Sequence, residues 1–302
     1  MTDRARKSYV FAGLAVLFWS TIPTVFKIGL GELDVLTMLS IAGFTSALVL
    51  FLLLVFTGKM NLLAKMTRRE VLSSAVLGLI NPFIYYLILL KAYKLLPGQV
   101  AQPLNMIWPI ILVFLSVPIL GQKIPAKSFW ALLISFAGVY VISSQGHPFK
   151  PGGPSPLGVL LATGSSIFWA LYFILNMKDR RDESVKLFMN FMFASLYLIA
   201  AIIITGKNPL EATPRGIFAS VYVGIFEMGI TFWFWLKALQ LAETSDRVSN
   251  LVYLAPFISI VFLYFIMNEP VYFTTPVGLL LIISGIVVQN RGGRPAGETG
   301  IN

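Results

Sequence analysis

Residues 95–122 read LLPGQVAQPLNMIWPIILVFLSVPILGQ, a run of 28 positions without one charged side chain. An α-helix rises about 1.5 Å per residue, so ~20 apolar residues cross a hydrocarbon core ~30 Å thick. A transmembrane β-strand would need only ~10 residues of strict alternation, which this run does not show. Similar windows lie on both sides of it. Residues 8–26, 35–58, 71–90, 128–149, 151–177, 187–206, 248–268 and 270–290 contain no Asp, Glu, Lys or Arg, and 216–236 contains Glu227 alone. Ten windows predict an all-α integral membrane protein with ten transmembrane helices.

The whole composition agrees. Of 302 residues, 12% are charged and 57% hydrophobic, with a mean hydropathy of +0.81. A soluble domain carries ~25% charged residues to cover its surface, so a water-soluble enzyme is excluded. The absence of cysteine rules out disulfides, thiolate zinc sites and Cys nucleophiles, and the single histidine, His147, cannot build a histidine metal cluster. No metal or other cofactor is predicted. No Gly-x-x-x-x-Gly-Lys-Ser/Thr, His-Glu-x-x-His or Gly-x-Ser-x-Gly sequence occurs, which argues against ATP drive and against an intramembrane enzyme.

A net charge of +10 could suggest nucleic acid, but the distribution of the charge decides otherwise. With the N-terminus placed in the cytoplasm and the windows alternating, 17 Lys and Arg fall in cytoplasmic loops and 6 outside. That bias is the positive-inside signal of a multi-pass protein with both termini cytoplasmic. The expected partners are therefore the lipid bilayer and a small-molecule substrate, not nucleic acid. Residues 291–302, rich in Gly, are expected to be a disordered cytoplasmic tail.

The chain also repeats itself at an offset of about 150 residues. Phe18-Trp19-Ser20 matches Phe168-Trp169-Ala170, Gly78 matches Gly224, and Leu90-Lys91-Ala92 matches Leu236-Lys237-Ala238. Pro109 matches Pro256, and Gly138 matches Gly285. After the cytoplasmic residues 1–7, this divides the chain into repeats over 8–145 and 157–290, joined by a Gly- and Pro-rich linker over 146–156. Five helices per repeat is an odd number, so the second copy is expected upside down. Inverted repeats exchange outward-open and inward-open states around a site near the midplane, which favours alternating access over an open channel.

The pattern of Pro109, Gly121-Gln122-Lys123 and Gly138 in one half and Pro256, Asn268-Glu269-Pro270 and Gly285 in the other resembles the drug/metabolite transporter superfamily, EamA type. That family usually has Gly-Glu at the loop; here Gln122 replaces the Glu in one half and Asn268 precedes Glu269 in the other. Phe18-Trp19-Ser20-Thr21, Asn105-Met106-Ile107-Trp108-Pro109 and Gly121-Gln122-Lys123 are further similar to the bacterial aromatic amino-acid exporters of that superfamily. The resemblance implies secondary export of aromatic and other neutral amino acids across the bacterial inner membrane. Export of another small metabolite or a cationic drug is the alternative.

Polar groups at membrane depth are costly unless used or paired, and they mark the candidate site. Glu227 lies midway between Arg215 and Lys237, and its repeat partner is Asn81. Glu227 reads either as the partner of a substrate ammonium or a coupling proton, or as a protonated residue bonding helices together. Asn81 reads as a substrate contact or as support for the backbone freed by Pro82. Gln102, Asn105 and Trp108 recur every three residues on one helix face; amide and indole groups there suit an amino acid, or join helices. Trp19 and Trp169 lie deep in equivalent helices, away from the interface where membrane Trp usually sits, and Tyr85, Tyr172 and Tyr253 are weaker candidates. Pro109 and Pro256 are candidate hinges or fixed bends. Asp34 is expected to cap its helix and Lys27 to snorkel outward.

Overall fold

Backbone in lipid must satisfy its own hydrogen bonds, and long apolar runs do so as helices. The computed structural model describes residues 3–121, 127–147, 155–241 and 250–290, and among these there is no strand. The first half contains α1 (Asp3–Glu32), α2 (Val35–Phe56), the short α3 (Met60–Ala64) and α4 (Arg68–Gly78). A π-helical turn, Leu79–Ile84, carries α4 into α5 (Tyr85–Leu95). Then come α6 (Gly98–Asn105), α7 (Trp108–Leu120) and α8 (Lys127–Ser143). The second half contains α9 (Pro156–Lys178), α10 (Glu183–Thr205) and α11 (Pro214–Tyr222), followed by a second π-helical turn, Val223–Glu227. It closes with α12 (Ile230–Leu241), a 3-10 turn over Asn250–Leu254, α13 (Ala255–Met267) and α14 (Thr274–Asn290).

Among the described residues seven rods are long and apolar enough to span a bilayer: Asp3–Glu32, Val35–Phe56, Arg68–Leu95, Gly98–Ile119, Pro156–Asn176, Glu183–Thr205 and Pro214–Trp235. The other three sequence windows coincide with shorter apolar helices, Phe129–Ser143, Leu251–Met267 and Thr274–Val288, of 10–17 residues. Two of these begin beside residues 122–126 and 242–249, which lie outside the described residues. So do the Gln122-Lys123 part of the loop motif, residues 148–154 of the linker and the tail from 291. Large apolar side chains face outward, including Phe56 (84% exposed) and Ile204 (83%), as a lipid-facing belt requires.

Local chemistry explains the helix ends. Asp34 caps α2 by accepting from the N–H groups of Leu36 and Thr37 at 3.1 and 3.4 Å, as its place before an apolar run predicts. Thr67 and Glu70 close a capping box on α4, and Thr213 caps α11. Gly121 (φ 68°) and Asn268 (φ 53°) end α7 and α13 in the left-handed region. Asn is the non-glycine residue best suited to that conformation, so it can stand where the family pattern has Gly.

Pro109 and Pro256 each sit in the first turn of a helical segment, α7 and α13. A residue without an N–H is best tolerated at that position, where no intrahelical donor is needed. Lys27 does not simply reach outward, because its Nζ donates to the carbonyls of Tyr93 and Leu96, both at 3.1 Å, and satisfies the end of α5.

The halves pack reciprocally. A Cβ on Gly78 in α4 would lie 2.3 Å from the Asn190 carbonyl oxygen of α10, and one on Gly224 would lie 2.5 Å from that of Ala42 in α2. Lys59 pairs with Asp182 at 2.7 Å, and Lys207 with Asp34 at 3.7 Å. Each contact joins a residue of one half to one of the other.

Burial opposes ionisation of Asp34 and Asp182. The Thr37 hydroxyl and the helix N–H groups on Asp34, and the Lys59 hydrogen bond and charge on Asp182, outweigh it and hold both carboxyls below their ordinary values. A depressed carboxyl stabilises the fold above its unfolded value of about 3.9 and ceases to do so as pH falls through the folded value. The thermal midpoint of the purified protein is therefore expected to hold from neutrality down to about pH 5 and to fall below about pH 4. Asp182→Asn should blunt that fall; a loss beginning near pH 6 would assign acid lability to other groups.

Candidate substrate site

Glu227 closes the π-helical turn after α11 and is half-buried. Its Oε1 accepts from the Tyr86 hydroxyl at 3.0 Å, and Tyr86 is only 1% exposed. Among the described residues no ion pair reaches Glu227. Among the described residues the carboxylate thus has a phenolic hydrogen bond and no cation.

Tyr85 and Tyr86 open α5 directly after the other π-helical turn, and successive helical residues point about 100° apart. Tyr86 therefore reaches Glu227 while Tyr85 turns to Asn105, donating to its Oδ1 at 3.2 Å. Asn105 ends α6, where the helix breaks and its carbonyl loses an intrahelical donor. Ser166 Oγ supplies one at 2.8 Å, while Asn105 Nδ2 donates to Ser165 Oγ at 2.8 Å. The run Glu227–Tyr86–Tyr85–Asn105–Ser165 connects the turn after α11 to α5, α6 and α9. Asn105 is therefore held at its carbonyl and at both ends of its side-chain amide.

Aromatic rings continue this run. Trp169 lies 5.1 Å from Tyr85, 6.3 Å from Trp108, 6.2 Å from Tyr172 and 6.2 Å from Phe232, between ring centroids. Phe232 in turn lies 5.9 Å from Trp19, which sits 5.4 Å from Trp235. Trp19 and Trp169 thus both approach the same ring. Trp19, Trp108 and Trp169 all remain half-buried.

The structure does not bring every sequence candidate into this run. Gln102 accepts from Ser259 Oγ and joins α6 to α13. Asn81 sits in an extended conformation inside its π-helical turn (φ −147°, ψ 124°), 4% exposed, and its Oδ1 has no hydrogen-bond partner. Tyr253 lies in the 3-10 turn before α13 and packs at the margin of the main core. Tyr172 joins through Trp169 and accepts from Asn190 Nδ2 at 3.1 Å. The sequence reading missed Tyr86, Ser165, Ser166, Phe232 and Trp235. The Ser165-Ser166 doublet inside an uncharged window and the Phe-Trp-Phe-Trp run at 232–235 were the available signals.

Comparison with known proteins follows the same lines. Residues 6–144 and 156–291 each match the EamA-like transporter family. An uncharacterised transporter of Archaeoglobus fulgidus is 28% identical over 283 residues, covering 93% of this chain and 96% of that protein. The aromatic amino acid exporter YddG of Ancylobacter novellus is 24% identical, covering 70% of this chain and 71% of its own. A solved crystal structure shares the fold, with a TM-score of 0.64 at 20% identity over 94% of this chain and 96% of that one. Apolar spanning helices, polar groups at membrane depth and two family matches that together cover most of the sequence establish that this multi-pass membrane chain belongs to the EamA-like transporter family.

Proposed function

We propose that the protein is a secondary, ATP-independent alternating-access transporter that exports amino acids, aromatic and other neutral ones, across the bacterial inner membrane. The reading takes the chain as ten transmembrane helices in two inverted repeats, 8–145 and 157–290, with both termini cytoplasmic. The reciprocal contacts of Gly78 and Gly224, and of Lys59–Asp182 and Lys207–Asp34, are what an inverted pair of repeats would produce. The segment starts at Pro109 and Pro256 supply matched places where the fourth helix of each repeat can pivot.

One observation carries the substrate reading: a carboxylate with no counter-ion among the described residues, Glu227, is tied by Tyr86 and Tyr85 to a cluster of indole and phenol rings. An ammonium group finds its partner at Glu227, and an aromatic or apolar side chain finds stacking surfaces at Trp19, Trp108 and Trp169. Asn81, Gln102, Asn105 and Tyr253 are assigned to the surrounding wall. The 24%-identical relative whose name states aromatic amino acid export points the same way.

The test is uptake into proteoliposomes of labelled Phe, Trp, Leu and Thr and of a lipophilic cation, with and without a pH gradient. Saturable Phe uptake that unlabelled Trp suppresses is expected, and acceleration by the gradient would identify proton coupling. If only the cation is transported, the protein is a cationic-drug exporter and the amino-acid assignment falls.

A further inference from the structure

The cation balance at the start of α4 and in the connection between α9 and α10 leaves a charge excess that the transport reading does not use. These two segments face each other across a cleft of about 490 Å³, with Arg69, Glu70 and Ser73 on one wall and Lys178 to Arg181 on the other. Both carboxylates in the lining are already occupied by their own segments. Glu70 Oε2 accepts from the Thr67 N–H at 2.7 Å and from its hydroxyl at 2.8 Å. Asp179 is held by Arg181, whose Nε donates to its two oxygens at 2.9 and 3.0 Å.

The cations are less fully occupied. Lys178 donates to the Ile119 carbonyl at 2.9 Å. Arg69 and Arg180 are exposed and make no ion pair among the described residues. The Arg181 side chain is only 9% exposed; its Nη2 donates to Ser74 Oγ at 2.9 Å, and its Nη1 is buried without a hydrogen-bond partner. Four cations thus line the cleft against two carboxylates, which leaves an excess of two positive charges. The cleft also lies where the apolar spans Arg68–Leu95 and Pro156–Asn176 begin and end.

We propose that this cleft binds a phosphate-bearing anion, with Arg69 and Arg180 gripping it from opposite walls and Arg181 fixed behind them. Guanidinium groups match phosphate oxygens in bidentate pairs, and basic pockets between helices at headgroup depth suit anionic lipids. The anion is either a lipid headgroup phosphate or a soluble phosphate compound. Binding would bridge α4 in one half to α9 and α10 in the other. It stands independently of which substrate the transporter carries.

The test uses the full chain in nanodiscs of phosphatidylcholine, alone or with one-fifth phosphatidylglycerol, and in detergent with inorganic phosphate or chloride at equal ionic strength. Arg69→Gln/Arg180→Gln is compared with Lys65→Gln/Arg68→Gln, which removes the same charge outside the cleft lining. Phosphatidylglycerol or phosphate is expected to raise the melting temperature of the wild type and of the Lys65/Arg68 variant. In the Arg69/Arg180 variant, bound phosphatidylglycerol counted by native mass spectrometry should fall at least about fivefold. A response to phosphatidylglycerol only assigns the lipid headgroup; a response to phosphate in detergent assigns a soluble ligand. No response to either, or equal losses in both double variants, would overturn the proposal, because it would leave only general surface charge.

Discussion

Glu227→Gln is expected to lower amino-acid exchange at least about tenfold while leaving the protein folded, because a charge-assisted hydrogen bond contributes about 1.5–3 kcal/mol and each ~1.4 kcal/mol is a factor of ten. The substitution is close to isosteric, and the amide oxygen can still accept from the Tyr86 hydroxyl, 3.0 Å away in the wild type. Only the charge and the ability to take up a proton are removed. Two roles for Glu227 therefore separate. If the carboxylate meets a substrate ammonium or carries a coupling proton, exchange collapses and any response to a pH gradient disappears with it. If it only bonds helices together, Gln preserves the bond and transport continues. Tyr86→Phe is the companion variant: it keeps the charge, removes the donor and should weaken exchange less than Glu227→Gln. Wild-type rates for Glu227→Gln at every pH would remove Glu227 from the substrate site, while a large drop in melting temperature would make it structural.

Why Glu227 was visible in the sequence and Tyr86 was not is a matter of what each element of the chain announces. A single charge inside the 21-residue window 216–236 stands out by composition, because lipid penalises it. A tyrosine beside a tyrosine does not. That Tyr86 reaches the turn after α11 while Tyr85 turns to Asn105 depends on the π-helical turn before them, which hydropathy does not register. The helix windows were legible for a similar reason: residues 35–58 became α2, Val35–Phe56, with Asp34 as its cap. The break after Asn105 was not legible. The three-residue spacing of Gln102, Asn105 and Trp108 assumes one continuous helix, but α6 ends between the second and third. Gln102 then turns to Ser259, Asn105 to Tyr85 and Ser165, and Trp108 to Trp169. Lys27 shows the same limit, since the carbonyls it satisfies lie 66 and 69 residues away in sequence. Properties fixed by solvation were readable; those fixed by where backbone interrupts itself were not.

The interface between α8 and α14 provides the largest expected loss of stability. A Cβ on Gly138 would lie 2.6 Å from the carbonyl oxygen of Gly278 and 2.8 Å from Ile282 Cγ1. The first neighbour is backbone and cannot rotate away, so the two helices must separate. Forcing extra methyl groups into packed sites costs about 1–3 kcal/mol. Gly138→Ala is accordingly expected to lower the melting temperature clearly, and Gly138→Val to prevent recovery of a monodisperse protein from detergent. Gly13 and Gly164 are the controls, since a Cβ at either meets nothing within 4 Å. There Ala should be neutral or stabilising by up to about 1 kcal/mol, because it lowers the entropy of the unfolded chain. Gly285, the repeat partner of Gly138, extends the comparison: a Cβ there would lie 2.7 Å from the Ala131 carbonyl and 2.2 Å from Ser135 Oγ. If the halves are related as inverted copies, Gly138→Ala and Gly285→Ala remove the same kind of helix approach from opposite ends of one interface and should cost similar amounts. A Gly138→Val protein that melts with the wild type would show that α8 and α14 do not meet at these glycines, and a penalty at only one of the pair would count against the reciprocal packing on which alternating access is argued.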